Sequence, residues 1–150
     1  MKDHAKLAHE NFKRGYNCAQ AVAIAFADEL GVDEERAARL ASSFGGGMGK
    51  MREVCGAVSG ALLVYGAVHG NSDPDDADAK KAHYARVQEF AARFKAEHET
   101  IICRELLKNI ALKKENTSEP EARTDEYYRV RPCVRFVESA ARILEEMLAE

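Results

Sequence analysis

The chain has 150 residues, a length typical of one folded domain, and we expect residues 1–150 to form a single helical domain carrying all four cysteines. Hydrophobic residues make up 46% of the chain and the net charge is −3 with both signs mixed, which argues against disorder and against nucleic-acid binding. The sequence has no apolar run of the roughly 18 residues that a membrane span needs and does not start like a signal peptide, so we expect a cytoplasmic protein.

Apolar residues recur at helical spacing along almost the whole chain, and strand-type alternation is nearly absent. The sequence therefore predicts an all-α fold, a compact bundle of six or seven helices. A first short helix around Phe12 is expected to end at Gly15. Asn17 and Gln20 have the spacing of a capping box, which predicts a second helix that continues to Leu30.

A run of glycines interrupts the middle of the chain. Gly31 is expected to end the second helix, and Asp33 is expected to begin the next one. Residues 45–50 (Gly-Gly-Gly-Met-Gly-Lys) have too little side chain to hold a helix, so they predict a loop with positive φ angles. The following helix is expected to extend from near Cys55 to Gly70.

Two glycines of that helix, Gly56 and Gly60, are four positions apart and share one face. They leave a groove that either a closely packed neighbouring helix or a compact ligand would fill. Both residues are therefore candidate cofactor-binding positions, with helix packing as the alternative.

The second half of the chain carries further helix signals. Asp73 and Pro74 have the pattern of an N-cap and a first helical residue, and Thr100 marks a second N-cap. Residues 113–124 are polar and aperiodic, which predicts an exposed and mobile loop. The last helix is expected to begin at Pro132, and its apolar stripe would face either the bundle or a second subunit of a homo-oligomer.

The four cysteines are Cys18, Cys55, Cys103 and Cys133, separated by 37, 48 and 30 positions. This spacing excludes the close pairs of zinc ribbons and thioredoxin-type sites. In a reducing cytosol, cysteines more often serve catalysis, redox exchange or metal binding than structural disulfides.

The cysteines share a position relative to the predicted helices. Cys18, Cys103 and Cys133 each follow a predicted helix start by one to three residues, and Cys55 does so if its helix begins near Arg52. Unpaired N–H groups and the helix dipole favour thiolate there, lowering a cysteine pKa from about 8.5 toward 3.5–7.5. A thiolate is both a nucleophile and a metal ligand, so all four are candidate catalytic residues and candidate metal ligands.

Arginines near the cysteines favour thiolate in the same way. Arg52 precedes Cys55, Arg104 follows Cys103, and the cysteine at position 133 lies between Arg131 and Arg135.

The residues around Cys55 form a CGAxxG motif, Cys-Gly-Ala-Val-Ser-Gly. The glycine-rich residues 45–50 precede the motif, Cys18 lies upstream, and two further cysteines lie downstream. In this order of features the chain resembles the C_GCAxxG_C_C family of proposed redox-active proteins over nearly its whole length. The resemblance implies a redox role for all four cysteines and, for many members, an association with transporter genes. It implies no particular reaction.

Three hypotheses remain open at this point. The four thiolates converge and hold a metal, either an iron–sulfur cluster or zinc. Alternatively, a pair of cysteines undergoes dithiol–disulfide exchange with a redox partner and needs no cofactor. In the third hypothesis the protein is a non-enzymatic helical binding module, associated with a transporter, in which the cysteines are packing residues. The sequence leaves open the cofactor, the cysteine pairing and whether the protein is an enzyme.

Overall fold

The computed structural model describes residues 2–150, and nine α-helices and one 3₁₀ helix lie in that range. The α-helices are α1 (His4–Lys13), α2 (Cys18–Ala25), α3 (Ala27–Leu30), α4 (Glu34–Ala41), α5 (Gly56–His69), α6 (Ala77–His98), α7 (Cys103–Leu106), α8 (Asp125–Val130) and α9 (Cys133–Leu148). The predicted all-α class is confirmed. The number of helices exceeds six or seven because α3, α7 and α8 are only four, four and six residues long.

Helix α2 lies at the centre of the bundle, where α1, α4, α5 and α9 pack against it. Six of its eight residues are buried, as expected for a helix that is apolar on nearly all sides. Half of its residues are alanine, so the neighbouring helices approach its backbone closely. None of the helices within residues 2–150 is long and apolar enough to cross a membrane.

Gly56 and Gly60 of α5 lie directly against the backbone of neighbouring segments. A Cβ atom added to Gly60 would lie 2.6 Å from the carbonyl oxygen of Ala19, and one added to Gly56 would lie 2.8 Å from the carbonyl oxygen of Phe44. The neighbouring backbone therefore fills the groove. Of the two predicted uses of this groove, helix packing is the one observed, and cofactor binding by Gly56 and Gly60 stays a prediction.

Most of the predicted helix ends in the first half of the chain are confirmed. Asn17 and Gln20 form the complete capping box at the start of α2. Gly31 adopts a left-handed conformation with φ of +81° at the end of α3, and Asp33 caps α4 by accepting a hydrogen bond from the Arg36 N–H. The second helix does not continue unbroken, since Phe26 leaves helical geometry and separates α2 from α3.

The predicted starts of the later helices are displaced. Helix α6 begins at Ala77 rather than at Pro74, because Asp76 is the carboxylate that accepts the hydrogen bond of the first turn, from the Ala79 N–H. Asp73 caps only a local turn, accepting from the Asp75 N–H at 2.9 Å.

Two more helix starts differ by one to three residues. Helix α7 begins at Cys103 and not at Thr100, whose hydroxyl accepts instead from the Ile102 N–H at 3.1 Å. Pro132 occupies the N-cap position of α9 rather than its first helical position, which Cys133 takes.

The apolar stripe of α9 faces the bundle rather than a second subunit. Val137, Ala141 and Leu144 are fully buried against the rest of the chain, and α9 packs on α1, α2, α5 and α6. A homo-oligomer remains a prediction, but this stripe is not free to form it.

The close α2–α5 contact predicts opposite effects for two substitutions in the same helix. Gly60→Ala should lower the free energy of unfolding by about 1–3 kcal/mol, because the added methyl group meets backbone that cannot move away. Gly66→Ala is the matched control: nothing lies within 4 Å of the added Cβ, so better helix propensity should raise stability by up to about 1 kcal/mol. Urea unfolding followed by circular dichroism measures both, and equal effects would contradict the packing described here.

Candidate functional site

The four cysteines occupy the starts of four structural segments. Cys18, Cys103 and Cys133 are the first residues of α2, α7 and α9, as predicted. Cys55 is the N-cap residue of α5 and so lies one position before the helix, because α5 begins at Gly56 and not near Arg52.

The structure brings all four cysteines to one small cavity of about 10 Å³. Leu106, Leu107 and Phe136 complete the apolar part of its wall, together with the backbone of Gly56. A volume of this size holds about one water-sized atom. All four residues are free thiols rather than disulfides, and all except Cys18 are buried.

Backbone pairing holds Cys55 beside Cys103. Val54 and Ile102 form a single antiparallel bridge, and the N–H of Cys55 donates to the carbonyl of Ile101 at 2.7 Å. The N–H of Cys103 donates to the carbonyl of Glu53 at 2.6 Å. Backbone contacts alone therefore fix the start of α7 relative to the residues that precede α5.

Cys18 and Cys133 form the second close pair, joined through their side chains. The Cys133 thiol donates a hydrogen bond to the Cys18 sulfur, and the backbone N–H groups of Gly46 and of Cys18 itself also donate to it. These hydrogen bonds, with a smaller effect from the positive charge of Arg123, lower the pKa of Cys18 to about 6, although desolvation of the sulfur acts in the opposite direction.

The other three cysteines are held as neutral thiols. Burial is the largest cause of the raised pKa values of Cys55 and Cys103. The pKa of Cys133 is raised well above its usual range because its proton is shared with Cys18 and because it is buried. The predicted lowering of pKa at helix starts is thus observed for Cys18 alone, since burial outweighs the helix start elsewhere.

Arg52 and Arg104 do not interact with the cysteines that their sequence positions suggested. Arg52 lies beside Cys103 rather than Cys55, with Nη1 3.8 Å from the sulfur, and its Nε and Nη2 atoms donate to Glu115 at 2.8 and 2.9 Å. Arg104 is exposed and donates to the carbonyl of Met51. Arg52 lies beside the Cys103 thiol because the fold brings together two distant parts of the chain, and no local sequence pattern encodes this contact.

Beside Cys133 only one of the two flanking arginines contributes. Arg131 is buried, forms an ion pair with Glu121, and its positive charge opposes the rise in the pKa of Cys133. Arg135 is exposed.

The glycine loop, residues 45–50, packs directly on the thiols. Gly46, Gly47 and Gly49 have φ angles of +66°, +70° and +56°, as the sequence predicts. A Cβ atom on Gly47 would lie 2.7 Å from the Cβ of Cys103. The sequence did not predict that the loop donates a hydrogen bond to Cys18, because this contact depends on the position of α2 relative to the loop in the folded protein.

The polar segment 113–124, predicted to be exposed and mobile, is tied to this site. The Lys50 ammonium group donates to the carbonyl oxygens of Lys114 and Glu119, each at 2.6 Å, and Arg52 holds Glu115 of the same segment. Most of the segment is exposed as expected, but its path across the site is set by these contacts.

An open cleft of about 280 Å³ lies between this segment and the cysteines. Cys18, Cys103 and Cys133 line it, whereas Cys55 lines only the inner cavity. The cationic side chains along the cleft are Lys50, Arg52, Arg123 and Arg131. Cys18 is thus a partly exposed thiolate at the base of a basic cleft.

A metal in this site remains a prediction from the sequence. Cysteine sulfur suits zinc and iron–sulfur clusters, and the four cysteines share one cavity. Within residues 2–150, however, no group of three or more His, Cys, Asp or Glu side chains is arranged to hold a metal ion. The geometry therefore does not fit a metal as it stands, and no step below passes through one.

These features define an all-α protein with a four-cysteine thiol site in which one cysteine is ionised. A family model described as "Putative redox-active protein (C_GCAxxG_C_C)" matches residues 16–147. The chain belongs to this family, which confirms the resemblance seen in the CGAxxG motif and the order of the cysteines. No curated protein and no solved structure matches the chain.

The lowered pKa of Cys18 predicts a selective pH profile for alkylation. The rate of reaction of Cys18 with iodoacetamide should rise with pH, reach half its maximum near pH 6 and then level off, while the other three cysteines react slowly at neutral pH. Peptide mass mapping of alkylated protein at a series of pH values measures each site separately.

Two variants of Cys133 test the cause of this profile. Cys133→Ala removes the hydrogen-bond donor and should shift the Cys18 midpoint to higher pH. Cys133→Ser keeps a hydroxyl donor and should shift the midpoint less. A midpoint that stays at the wild-type value in both variants would show that the Cys133 hydrogen bond does not stabilise the Cys18 thiolate.

Proposed function

We propose that this protein carries out dithiol–disulfide exchange through Cys18 and Cys133, with Cys18 as the nucleophile and Cys133 as the resolving cysteine. The observation that carries the proposal is the hydrogen bond from the Cys133 thiol to the Cys18 sulfur, at a point where Cys18 is open to the cleft. A nucleophilic thiolate with a second thiol in contact is the arrangement that this exchange requires.

The reaction has two steps. The Cys18 thiolate attacks one sulfur of a partner disulfide, so the partner's S–S bond breaks, a mixed disulfide forms at Cys18, and the first partner thiolate leaves. Cys133 then loses its proton and attacks the Cys18 sulfur, which forms a Cys18–Cys133 disulfide and releases the second partner thiolate. The partner gains two electrons, which the protein loses. Cys133 gives up one proton, and the two partner thiolates are protonated by this proton and by solvent.

The surroundings of the two cysteines suit these steps. Cys18 carries the negative charge before the attack, whereas Cys133 keeps its proton until the mixed disulfide has removed that charge. Once the Cys18 thiolate is gone, the nearby charge of Arg131 favours ionisation of Cys133. Each cysteine thus becomes a thiolate when its own step needs one.

The proposal places the reaction in the cytoplasm, where a reversible disulfide is more expected than a structural one. The physiological partner would be a redox partner that presents a disulfide, and an association with a transporter would place that partner at a membrane without inserting this chain into it.

Disulfide mapping tests the proposal. Mild oxidation of the reduced protein should produce a Cys18–Cys133 disulfide that a dithiol reverses, seen by mass spectrometry of non-reduced peptides. Cys133→Ser should trap a mixed disulfide between Cys18 and an added disulfide probe, because no resolving thiol remains. Cys55→Ala should still form the Cys18–Cys133 disulfide, since Cys55 does not reach the cleft.

The two other hypotheses give different results in the same experiments. Unpaired cysteines after oxidation, or random pairing, would support a binding module in which the cysteines only pack. Anaerobic reconstitution that loads zinc or an iron–sulfur cluster and protects all four cysteines from alkylation would support a metal site and contradict exchange through Cys18 alone.

A further inference from the structure

We infer that the cleft above Cys18 takes a small anionic disulfide whose carboxylate group is bound by Arg123, with the charge of Lys50 adding to the attraction. This inference rests on the proposed function and adds to it the chemical class of the substrate. It follows from the charges that line the cleft, from the way two of these charges are held, and from the size of the space.

The charges around the cleft do not cancel. Four cationic side chains line it (Lys50, Arg52, Arg123 and Arg131). Within residues 2–150, carboxylates pair with only part of this set: Glu115 lies against Arg52 and, at 3.9 Å, against Lys50, and Glu121 pairs with Arg131. With the Cys18 thiolate counted as well, one positive charge remains uncompensated.

Arg123 is the cation that carries most of this excess. Its guanidinium group donates to the carbonyl oxygens of Phe12 and Tyr16 at 3.0 and 2.9 Å, which are neutral acceptors. It also lies over the rings of Phe12 and Tyr127, with its central carbon 4.4 and 5.0 Å from the ring centres. These contacts fix the position of the group and leave its full charge available to a ligand.

Arg123 is also placed correctly relative to the reacting sulfur. It lines the same cleft as Cys18, and its charge is one of the causes that favour the Cys18 thiolate. A carboxylate bound to this guanidinium would hold its own disulfide near the Cys18 sulfur, which is the positioning that exchange needs.

Lys50 adds a second positive charge to the cleft. Its three N–H groups donate to the carbonyl oxygens of residues 114, 117 and 119, and Glu115 lies 3.9 Å away, so Lys50 acts on a ligand through its charge and not through a free N–H group. The positive φ of Lys50, +67°, belongs to the glycine loop, so loop geometry brings this charge to the cleft.

Size and overall charge complete the argument. A cleft of about 280 Å³ lies at the lower end of the range for small-molecule sites, which is about 300–1,000 Å³, and is too small for a folded partner to enter. The whole chain has a net charge of −3, so a positive cleft is a local departure from the sign of the protein. Such a local field attracts anions and repels cations.

The test compares three small disulfides of different charge: dithiodipropionate (anionic), hydroxyethyl disulfide (neutral) and cystamine (cationic). The measurement is the rate of mixed-disulfide formation at Cys18 in the Cys133→Ser protein, divided by the rate with N-acetylcysteinamide to remove intrinsic differences among the probes. Dithiodipropionate should react roughly tenfold or more faster than cystamine after this correction, and added salt should reduce the ratio.

Variants identify the residues responsible. Arg123→Gln should lower the anionic-to-cationic rate ratio several-fold, and Arg123→Lys, which keeps the charge, should retain most of the ratio. Lys50→Gln should lower the ratio as well. Arg36→Gln, which removes an exposed cation outside the cleft, is the control and should leave the ratio unchanged. Circular dichroism of each variant checks that it is folded, because an unfolded fraction would react without charge preference and would bring the ratio closer to one.

A second pair of reagents separates this inference from the proposed function. Iodoacetate is anionic and iodoacetamide is neutral, and both alkylate a thiolate without any disulfide exchange. A preference of Cys18 for iodoacetate that depends on Arg123 supports an anion-binding cleft even if no disulfide reacts. A failure of every disulfide to react would contradict only the exchange reaction. Equal rates for all charges, or faster reaction with cystamine, would overturn the inference while leaving the exchange chemistry intact.

Discussion

The close packing of α2 against α5 is the constraint on which the site depends. Ala19 meets Gly60 of α5 at a backbone distance that no side chain would allow, and it also lies against Gly56. Because Cys18 immediately precedes Ala19, this contact fixes the start of α2 beside Cys55 and beside the glycine loop. The hydrogen bond from the Gly46 N–H to the Cys18 sulfur follows from that placement. Backbone contacts thus bring Cys18 beside Cys55 and the glycine loop, without a contribution from charged residues.

The four cysteines have similar sequence positions, but burial gives them different pKa values. Each lies at or next to the start of a helix, yet only Cys18 is ionised near neutral pH. A small apolar cavity tolerates one negative charge when several donors surround it, and a second charge there would lack such partners. The donors converge on Cys18, and Cys133 contributes its own proton to that set. One thiolate among three thiols is therefore what the packing of this cavity favours.

The sequence predicted best those features that depend on residues close together in the chain. The capping box at Asn17 and Gln20, and the positive φ angles of the glycine loop, follow from local chemistry and are found as expected. The predicted start of α7 at Thr100 was wrong. The backbone hydrogen bond from Cys103 to Glu53 sets this helix start, and the hydroxyl of Thr100 does not.

Features that depend on contacts distant in sequence could not be predicted in this way. The contact of Arg52 with Cys103 joins residues 51 positions apart, and no periodicity or motif signals it. The path of segment 113–124 is similar, since the donors that hold it, Lys50 and Arg52, lie in another part of the chain. The convergence of the cysteines itself was suggested by family resemblance and by their shared helix-start positions, and the spacing alone could not have established it.

The hydrogen bonds to the Cys18 sulfur also bear on its reduction potential. They stabilise the thiolate, and a disulfide at Cys18 would lose most of that stabilisation, because a neutral bonded sulfur is a weaker acceptor than a thiolate. The contacts from Gly46, Cys133 and Arg123 therefore stabilise the reduced protein relative to an oxidised one. Stabilising the reduced form makes a dithiol–disulfide couple more oxidising. The glycine loop, through a single N–H group, thus makes the protein a weaker reductant, so in the proposed exchange it would reduce only partner disulfides whose reduction potential is higher than its own.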